Sequence, residues 1–566
     1  MISNCDKTIS ATEDFYVKLS LKSPYCFFSA LVLAAFLLYL APTLLDDYPS
    51  RDVAARYAPM AEAFAHGDFA YAFHPRLQCL HPLIGGCFTW LLGCDGFTGV
   101  KLASLLFFAL CIFPLYGLFK ELFDYRIALG GVIIYIFASK LARLGCSGLR
   151  ESMKSFVILL LVYSIIMIWK NREQLTGYLW LGLGTGLAIC TRNDLILFAA
   201  LVLLFGGLLE RCRYRLSWRT SIALLVTLVA GLPEFIINYQ LTGMAVPGSR
   251  FIVLFEKAFQ CLPTPGNVIL LGGSTMLAGF FSTIYAGHAL WRIKSGRLLI
   301  YIGGAVLLLL LLLSMFVEGF LCNGEMLLEF LYSLGDGFGG IFLPFAILGI
   351  VFRLRQKKWT SLQTVVFALF LLHQISVVWQ IILFDRYLYV SSRYLLPATP
   401  LLFGWVVYCI TTLWHRGKQY LPKPATRAMG CVLIMVTAFA FYADTVKPVW
   451  RLQIDSTDRR LKINMEQMAE RIRTDYQGPR YFQPPFDVNE YVANVRPRIY
   501  FNCESKLSVT AYYAGAFSCK EPDHADYLVL MVESTAPAGF VPLGEPILSR
   551  RATLQIWKKS PENEEK

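Results

Sequence analysis

Residues 147–170 read "SGLRESMKSFVILLLVYSIIMIWK". The boundary inside this stretch decides the fold. Arg150 and Glu151 stand at its head, and the run 153–169 behind them is dominated by Val, Ile, Leu, Met and aromatic residues. A helix crosses a hydrocarbon core of about 30 Å with about 20 apolar residues, roughly 17 to 25 in practice. The stretch therefore reads as a membrane span with an acid and a base at one mouth.

The signature recurs along the chain. Candidate spans are 26–45, 98–119, 127–143, 153–169, 177–190, 195–209, 220–238, 268–290, 299–318, 337–352, 360–383, 394–413 and 428–443, about thirteen in all. Composition agrees: of 566 residues 56% are hydrophobic, 14% aromatic and only 16% charged, with a mean hydropathy of +0.52. Such a chain is a polytopic α-helical membrane protein and excludes a water-soluble globule. The formal charge of +13 does not point to nucleic acid, because the basic residues fall in short clusters between apolar runs. The 15 cysteines show no CxxC pair or metal-ligand spacing. Most sit in apolar runs (Cys111, Cys190, Cys409, Cys431), where Cys packs as a small apolar residue.

Basic residues orient the spans. The loops "KELFDYR", "KNREQ", "ERCRYRLSWR", "WRIKSGR", "RLRQKKW" and "HRGKQYLPKPATR" hold most of the loop Lys and Arg. With the amino-terminal segment 1–25 (Lys7, Lys18, Lys22) they are expected on the cytoplasmic side. The first span reads as a retained helix rather than a cleaved signal. The odd span count then places the carboxyl-terminal segment outside, in a bacterial-type inner or cell membrane.

The transmembrane part is expected over 26–443 and includes a long first outer loop, 46–97. In that loop Val53, Tyr57, Met60, Ala61 and Phe64 recur at helical spacing, with Asp52, Arg56 and Glu62 off the stripe. This predicts an interfacial amphipathic helix capped by Ser50, kinked by Pro59 and ended by Gly67-Asp68. "LIGGCFTWLLG" predicts a second surface-lying or re-entrant helix. Residues 444–566 change composition: "LKINMEQMAERIRTDY" has helical periodicity, and "RIYFNC", "DYLVLMVE" and "TLQIWKK" read as strands. A small extracytoplasmic α/β domain is expected there, with Cys503 and Cys519 a candidate disulfide in an oxidising compartment.

Polar groups with chemical potential gather at five places: Asp46, Asp47 and Asp52; His74 and His81; Arg150 and Glu151; Arg192 and Asp194; and Arg386, Arg393 and Tyr394. Each stands at an outer span end, so all are candidates to face one cavity, with Tyr57 beside them. Ionisable groups at membrane depth are costly and mark function. A lone acid or base at a span end is nevertheless most often a solvated flank, and two histidines are not a metal ligand set. Arginine's forked donors match phosphate, so Arg192 and Arg393 suit a phosphate leaving group, and a carboxylate opposite suits removal of a hydroxyl proton.

In order, "RDVAARYAPMAEAFAHGDFAYAFHPRLQCLHPLIGG", "SGLRESMKSFVILLLVYS", "GLGTGLAICTRNDLILF" and "SSRYLLPATPLLFGW" resemble the GT-C membrane glycosyltransferases. Within them the match is to the protein O-mannosyltransferase-like group that includes the lipid A aminoarabinose transferases. The resemblance implies inverting transfer from a polyprenyl-phosphate sugar to a lipid, glycan or protein acceptor. It implies an outer-loop aspartate as base and no cofactor, with a divalent metal left open. Relatives place an acidic pair four residues before a Tyr, whereas here Asp52 precedes Tyr57 by five and the adjacent pair Asp46-Asp47 lies upstream. Asp52 is the favoured base and Asp47 its substitute. Glu151 matches a second acidic position, and Arg192, Arg393 and Tyr394 match positions at the donor phosphate. The acceptor is expected to be selected by loops near 239–267 and 319–335 and by the outer domain. Two other classes compete. A secondary transporter would show internal repeats and mid-membrane charge, and a scaffold would tolerate loss of the carboxylates and arginines.

Overall fold

The computed structural model describes residues 24–45, most of 50–69, 77–209, 218–242, 342–384, 392–420, isolated positions within 428–439, 456–477, 497–502 and, with short gaps, 509–560. The expected spans 268–290 and 299–318 and most of 428–443 lie outside the described residues, as do Asp46, Asp47, His74, Arg386 and Cys503.

The helices run in chain order as α1 (Pro24–Leu45), a π-helical turn (Val53–Tyr57), α2 (Ala58–His66), α3 (Leu80–Leu92), α4 (Gly96–Leu110), α5 (Ile112–Leu122), α6 (Tyr125–Phe137) and α7 (Ser139–Cys146). There follow α8 (Glu151–Lys170), α9 (Leu175–Thr191), α10 (Asn193–Leu209), α11 (Trp218–Thr242), α12 (Phe342–Arg355), α13 (Ser361–Phe384), α14 (Ser392–Leu395), a 3-10 segment (Leu396–Leu402) and α15 (Phe403–Tyr420). Among the described residues four helices are long and apolar enough to cross a membrane, or five if α6 and α7, bent by 60° at their junction, form one span. The expected spans 177–190 and 195–209 are the 17-residue helices α9 and α10. At 1.5 Å per residue each is about 25 Å long.

Apolar side chains on all faces explain the interior of this bundle. Trp405 is fully buried, with its ring 5.5 Å from that of Phe123 and 5.9 Å from that of Trp359. Tyr39 of α1 donates to the carbonyl of Ile136 on α6 at 2.7 Å. α3 and α4 touch backbone to backbone, because a Cβ at Gly99 would stand 2.2 Å from Thr89 Oγ1 and 2.4 Å from Gly85 O. α3 buries His81, Pro82, Gly85, Gly86 and Thr89 and exposes Trp90, Leu91 and Leu92.

The two ends of the bundle differ in charge. Four of the six basic loops meet at one end: Lys170 pairs with Glu121, Arg353 and Gln363 both donate to the Leu122 carbonyl, and Arg416 lies over the Phe352 ring. Asp52, the start of α8, the α9–α10 junction and α14 share the opposite end.

The first-loop helix differs from the expected one at its start. The chain enters through a π turn in which Ala58 N–H bonds Val53 O, and Pro59 sits in the first turn of α2 without breaking it. Ser50 is not a side-chain cap. Its carbonyl accepts from Ala54 N–H at 2.9 Å, while its hydroxyl is buried with no partner among the described residues. Gly67 ends α2 in the left-handed conformation, φ 75°. Val53, Tyr57, Met60 and Ala61 are buried against Phe97, Val100 and Leu149, so this helix packs into protein rather than lying free on a surface.

The carboxyl-terminal unit contains α16 (Ser456–Asp475), β1 (Arg498–Phe501), α17 (Val509–Tyr513), β2 (Phe517–Cys519), β3 (Tyr527–Met531), β4 (Phe540–Pro542), β5 (Ile547–Leu548) and β6 (Thr553–Lys559). The sheet order is β2-β1-β3-β6-β4, with β5 on β6. β1 runs parallel to β2 and β3, and β6 antiparallel to β3. The strands alternate as period 2 requires. Ile499, Tyr527, Val529 and Ile556 face Met465, Met468, Ala469 and Ile472 of α16, while Leu528 and Leu530 face the other side with Cys519 and Trp557.

Candidate functional site

Three helix starts and one helix break bring the charged groups together. Gly148, in the left-handed region at φ 73°, turns the chain into α8 and places Glu151 in its first turn. Lys154 follows three residues later on the same face. Between α9 and α10 Arg192 is extended, φ −159° and ψ 141°, so it breaks the helix and presents its own side chain and that of Asp194. Asp194 sits in the first turn of α10, where the helix dipole favours a carboxylate. Arg393 and Tyr394 stand on α14, ahead of the Pro397 and Pro400 segment.

The result is one chain of alternating charge. Arg56 Nη1 lies 3.8 Å from Asp52 Oδ1, and Arg393 Nη2 donates to Asp52 Oδ2 at 2.8 Å. Arg393 Nε and Arg192 Nη1 approach Glu151 Oε1 at 3.2 and 3.3 Å. Arg192 Nε donates to Asp194 Oδ1 at 2.8 Å, and Lys154 Nζ to Asp194 Oδ2 at 2.7 Å. The Tyr394 ring lies near both guanidiniums, 5.2 Å from that of Arg192 and 5.3 Å from that of Arg393. Residues 341 apart in sequence thus share a hydrogen bond.

Exposure grades the chain. The Asp52 side chain is 30% exposed, whereas Glu151 and Lys154 are each 1% exposed. Glu151 Oε2 is buried with no hydrogen-bond partner among the described residues. Charges this deep need opposite charges beside them, since removing one partner of a buried pair costs about 3–5 kcal/mol. Burial alone would raise the Asp52 carboxyl. The charge and hydrogen bond of Arg393, with Arg56 and Arg150 farther off, outweigh it and hold the group below the usual carboxylate range.

Arg150 adds a fourth guanidinium. It lies 5.6 Å from the Tyr57 ring and donates to Gln78 Oε1 at 3.2 Å and Thr191 O at 3.3 Å. Arg56, Arg150, Arg192, Arg393 and Lys154 surround Asp52, Glu151 and Asp194, which leaves two more positive than negative charges at this end.

His81 stands apart from the carboxylates. Ser104 donates to Leu149 O at 2.7 Å and therefore accepts from His81 Nε2 at 2.9 Å, which fixes the neutral tautomer. Burial, then the charge of Arg150, push this imidazole down to about 3. Its ring meets Tyr57 edge-on at 5.6 Å. Among the described residues no group of three His, Cys, Asp or Glu is arranged to hold a metal ion. Two charged groups escaped the sequence reading. Lys154 sits one turn inside an apolar run, and Glu234, on the apolar α11 beside Pro233, accepts from Cys79 N–H and Sγ at 3.3 Å each. A charged residue inside an apolar run was the signal available for both.

The family model for dolichyl-phosphate-mannose-protein mannosyltransferases matches residues 77–238, which include Arg150, Glu151, Arg192 and Asp194. The fold is similar to the crystal structure of ArnT from Cupriavidus metallidurans in the apo state, with a TM-score of 0.53 and 13% identity over 95% of this chain and 98% of that one. It is also similar to the archaeal oligosaccharyltransferase AglB from Archaeoglobus fulgidus in complex with an inhibitory peptide and a dolichol-phosphate, with a TM-score of 0.51 and 10% identity over 90% of this chain and 70% of that one. No curated protein sequence matches significantly.

Proposed function

We propose that this chain, a GT-C membrane glycosyltransferase in fold, transfers a sugar from a polyprenyl-phosphate donor to an acceptor hydroxyl, with inversion, on the extracytoplasmic side. The observation that carries the reading is the alternating chain Asp52–Arg393–Glu151–Arg192–Asp194, whose three carboxylates are outnumbered by the surrounding cations once Lys154, Arg56 and Arg150 are counted with Arg192 and Arg393. The dolichol-phosphate named for the archaeal oligosaccharyltransferase and the family match over 77–238 support a lipid-phosphate donor.

Asp52 is the base, since it is the carboxylate of the chain that an acceptor from solvent reaches. Its oxygen takes the acceptor proton as the acceptor oxygen bonds the anomeric carbon. The bond from that carbon to the phosphate oxygen breaks, and the phosphate leaves with the electron pair. Arg192 and Arg393, splayed on the Tyr394 ring, hold the departing phosphate with forked donors. Glu151 sets the angle of both guanidiniums, and Lys154 holds Asp194 against Arg192. The depressed Asp52 carboxyl is a weak base, so arginine stabilisation of the leaving group carries most of the acceleration.

The test is to incubate the purified full-length protein with a panel of polyprenyl-phosphate sugars and candidate acceptors and to follow polyprenyl phosphate release. Acceptor-dependent release with at least one donor is expected. No release with any donor would return the chain to the transporter or scaffold class.

A further inference from the structure

Neighbouring residues of the turn that carries Asp52 face two different bodies. Val53 and Tyr57 are buried against Phe97, Val100 and Leu149 of the helical bundle. Ala54, 1% exposed, is buried in another apolar cluster, with Met465, Met468 and Ala469 of α16 and Ala511 and Ala514 in and just after α17. α17 packs directly on the turn. The alanines on both sides allow the backbones to approach closely.

The turn needs such support. A π turn bonds residue i to i+5, is intrinsically poor, and persists as short insertions often found at functional sites. Here the Ala58 N–H to Val53 O bond closes it. A return to α-helical winding would rotate Asp52 relative to Tyr57 by roughly one residue, about 100°, and carry its carboxylate away from Arg393. Among the described residues the Ser50 hydroxyl ahead of the turn gives no capping bond that would hold it otherwise.

We propose that the carboxyl-terminal α/β unit is a positioning element for the reaction, with Ala54 and Ala511 as the residues through which it holds Asp52 in register. The proposal rests on Asp52 as the base. It makes the unit part of the site rather than an appendage that only chooses acceptors.

The experiment uses the purified full-length protein and the donor on which it releases polyprenyl phosphate. Amide hydrogen exchange of the wild type comes first: the amides of 53–57 are expected to be protected in step with those of α17. Fast exchange at 53–57 under a protected α17 would overturn the proposal. Ala511→Leu wedges the contact from the unit's side and Ala54→Leu from the turn's side. Each is expected to lower kcat about tenfold or more, to leave the donor KM within about twofold, and to speed exchange at 53–57 but not along α8. A folded variant with wild-type kcat and exchange contradicts the proposal, and so does a rise in KM without a fall in kcat. Asp52→Asn separates the two claims. If it stays active the base assignment fails, whereas an inactive Asp52→Asn beside fully active alanine variants sinks only the positioning role.

Discussion

The two ends of the helical bundle both carry ion pairs, and they spend charge differently. At the basic end Glu121 and Lys170 are 28% and 51% exposed, a local pair that water screens. Arg353 there bonds Gln363 and the Leu122 carbonyl and lies 5.1 and 4.9 Å from the centroids of the stacked Phe123 and Tyr408 rings. At the opposite end seven charged residues, Arg56 to Lys154, link the first loop, α8, the α9–α10 break and α14 in one network. Within that network Glu151 Oε2, and beside it Arg150 Nε, have no hydrogen-bond partner among the described residues. Charge that only orients a helix is expected to be exposed and satisfied, whereas charge kept buried and partly unsatisfied is what the proposed donor site requires.

The sharpest way to break this contrast is at Glu151. Glu151→Gln removes the charge that both Arg192 and Arg393 share, and transfer is expected to fall by about 10²–10⁴-fold, read as polyprenyl phosphate release. Near wild-type release would mean that the network is structural only. Next in size is Arg192→Lys, which keeps the charge and loses the fork. It is expected to cost about 1.5–3 kcal/mol in kcat/KM, about 10- to 150-fold. Lys154→Met acts on stability. Removing one partner of this buried pair is expected to destabilise by at most about 3–5 kcal/mol, measured by thermal unfolding in detergent, with Arg192 still holding Asp194 and moderating the loss.

Smaller effects separate the exposed charges. The Asp52 carboxyl is depressed, so it is ionised above its lowered value, and the rate is lost only as pH falls through that value. The acid limb of kcat/KM is therefore expected below the usual carboxylate range. Arg56→Gln, removing a half-exposed neighbour at 3.8 Å, moves that limb slightly upward and leaves the neutral-pH rate unchanged. At the far end Glu121→Gln is expected to change stability by less than about 1 kcal/mol and transfer not at all. A large loss there would erase the distinction between the two ends.

Much of this was legible in the sequence, for physical reasons. Apolar runs flanked by charge report helices because the bilayer demands them, and α8, α9, α10 and α11 begin and end within a few residues of expectation. Asp52, Glu151, Arg192 and Arg393 stood out because each ends a run. Their connection did not, since no spacing rule reports a bond such as Arg393 to Asp52. Lys154 was hidden by the apolar residues around it, although a buried lysine needs a carboxylate partner and Asp194 supplies one. The π turn was missed because the stripe Val53, Tyr57, Met60 fits an α-helix as well. The turn places Ala54 against the carboxyl-terminal unit, a second surface that no periodicity in the sequence reports. The Ser50 cap failed at the side chain alone: its carbonyl accepts from Ala54 N–H as a cap residue's does, but its hydroxyl makes no bond among the described residues.

One measurement reaches the central claim directly. Wild-type protein and Asp52→Asn, purified and shown by thermal unfolding to be equally folded, are given the same polyprenyl-phosphate sugar and acceptor. Released polyprenyl phosphate is then counted over single turnovers. Release by the wild type, with a loss of about 10²-fold or more in Asp52→Asn, is the expected result. Equal release by the two proteins would contradict the assignment of the reaction to the Asp52 end of the bundle.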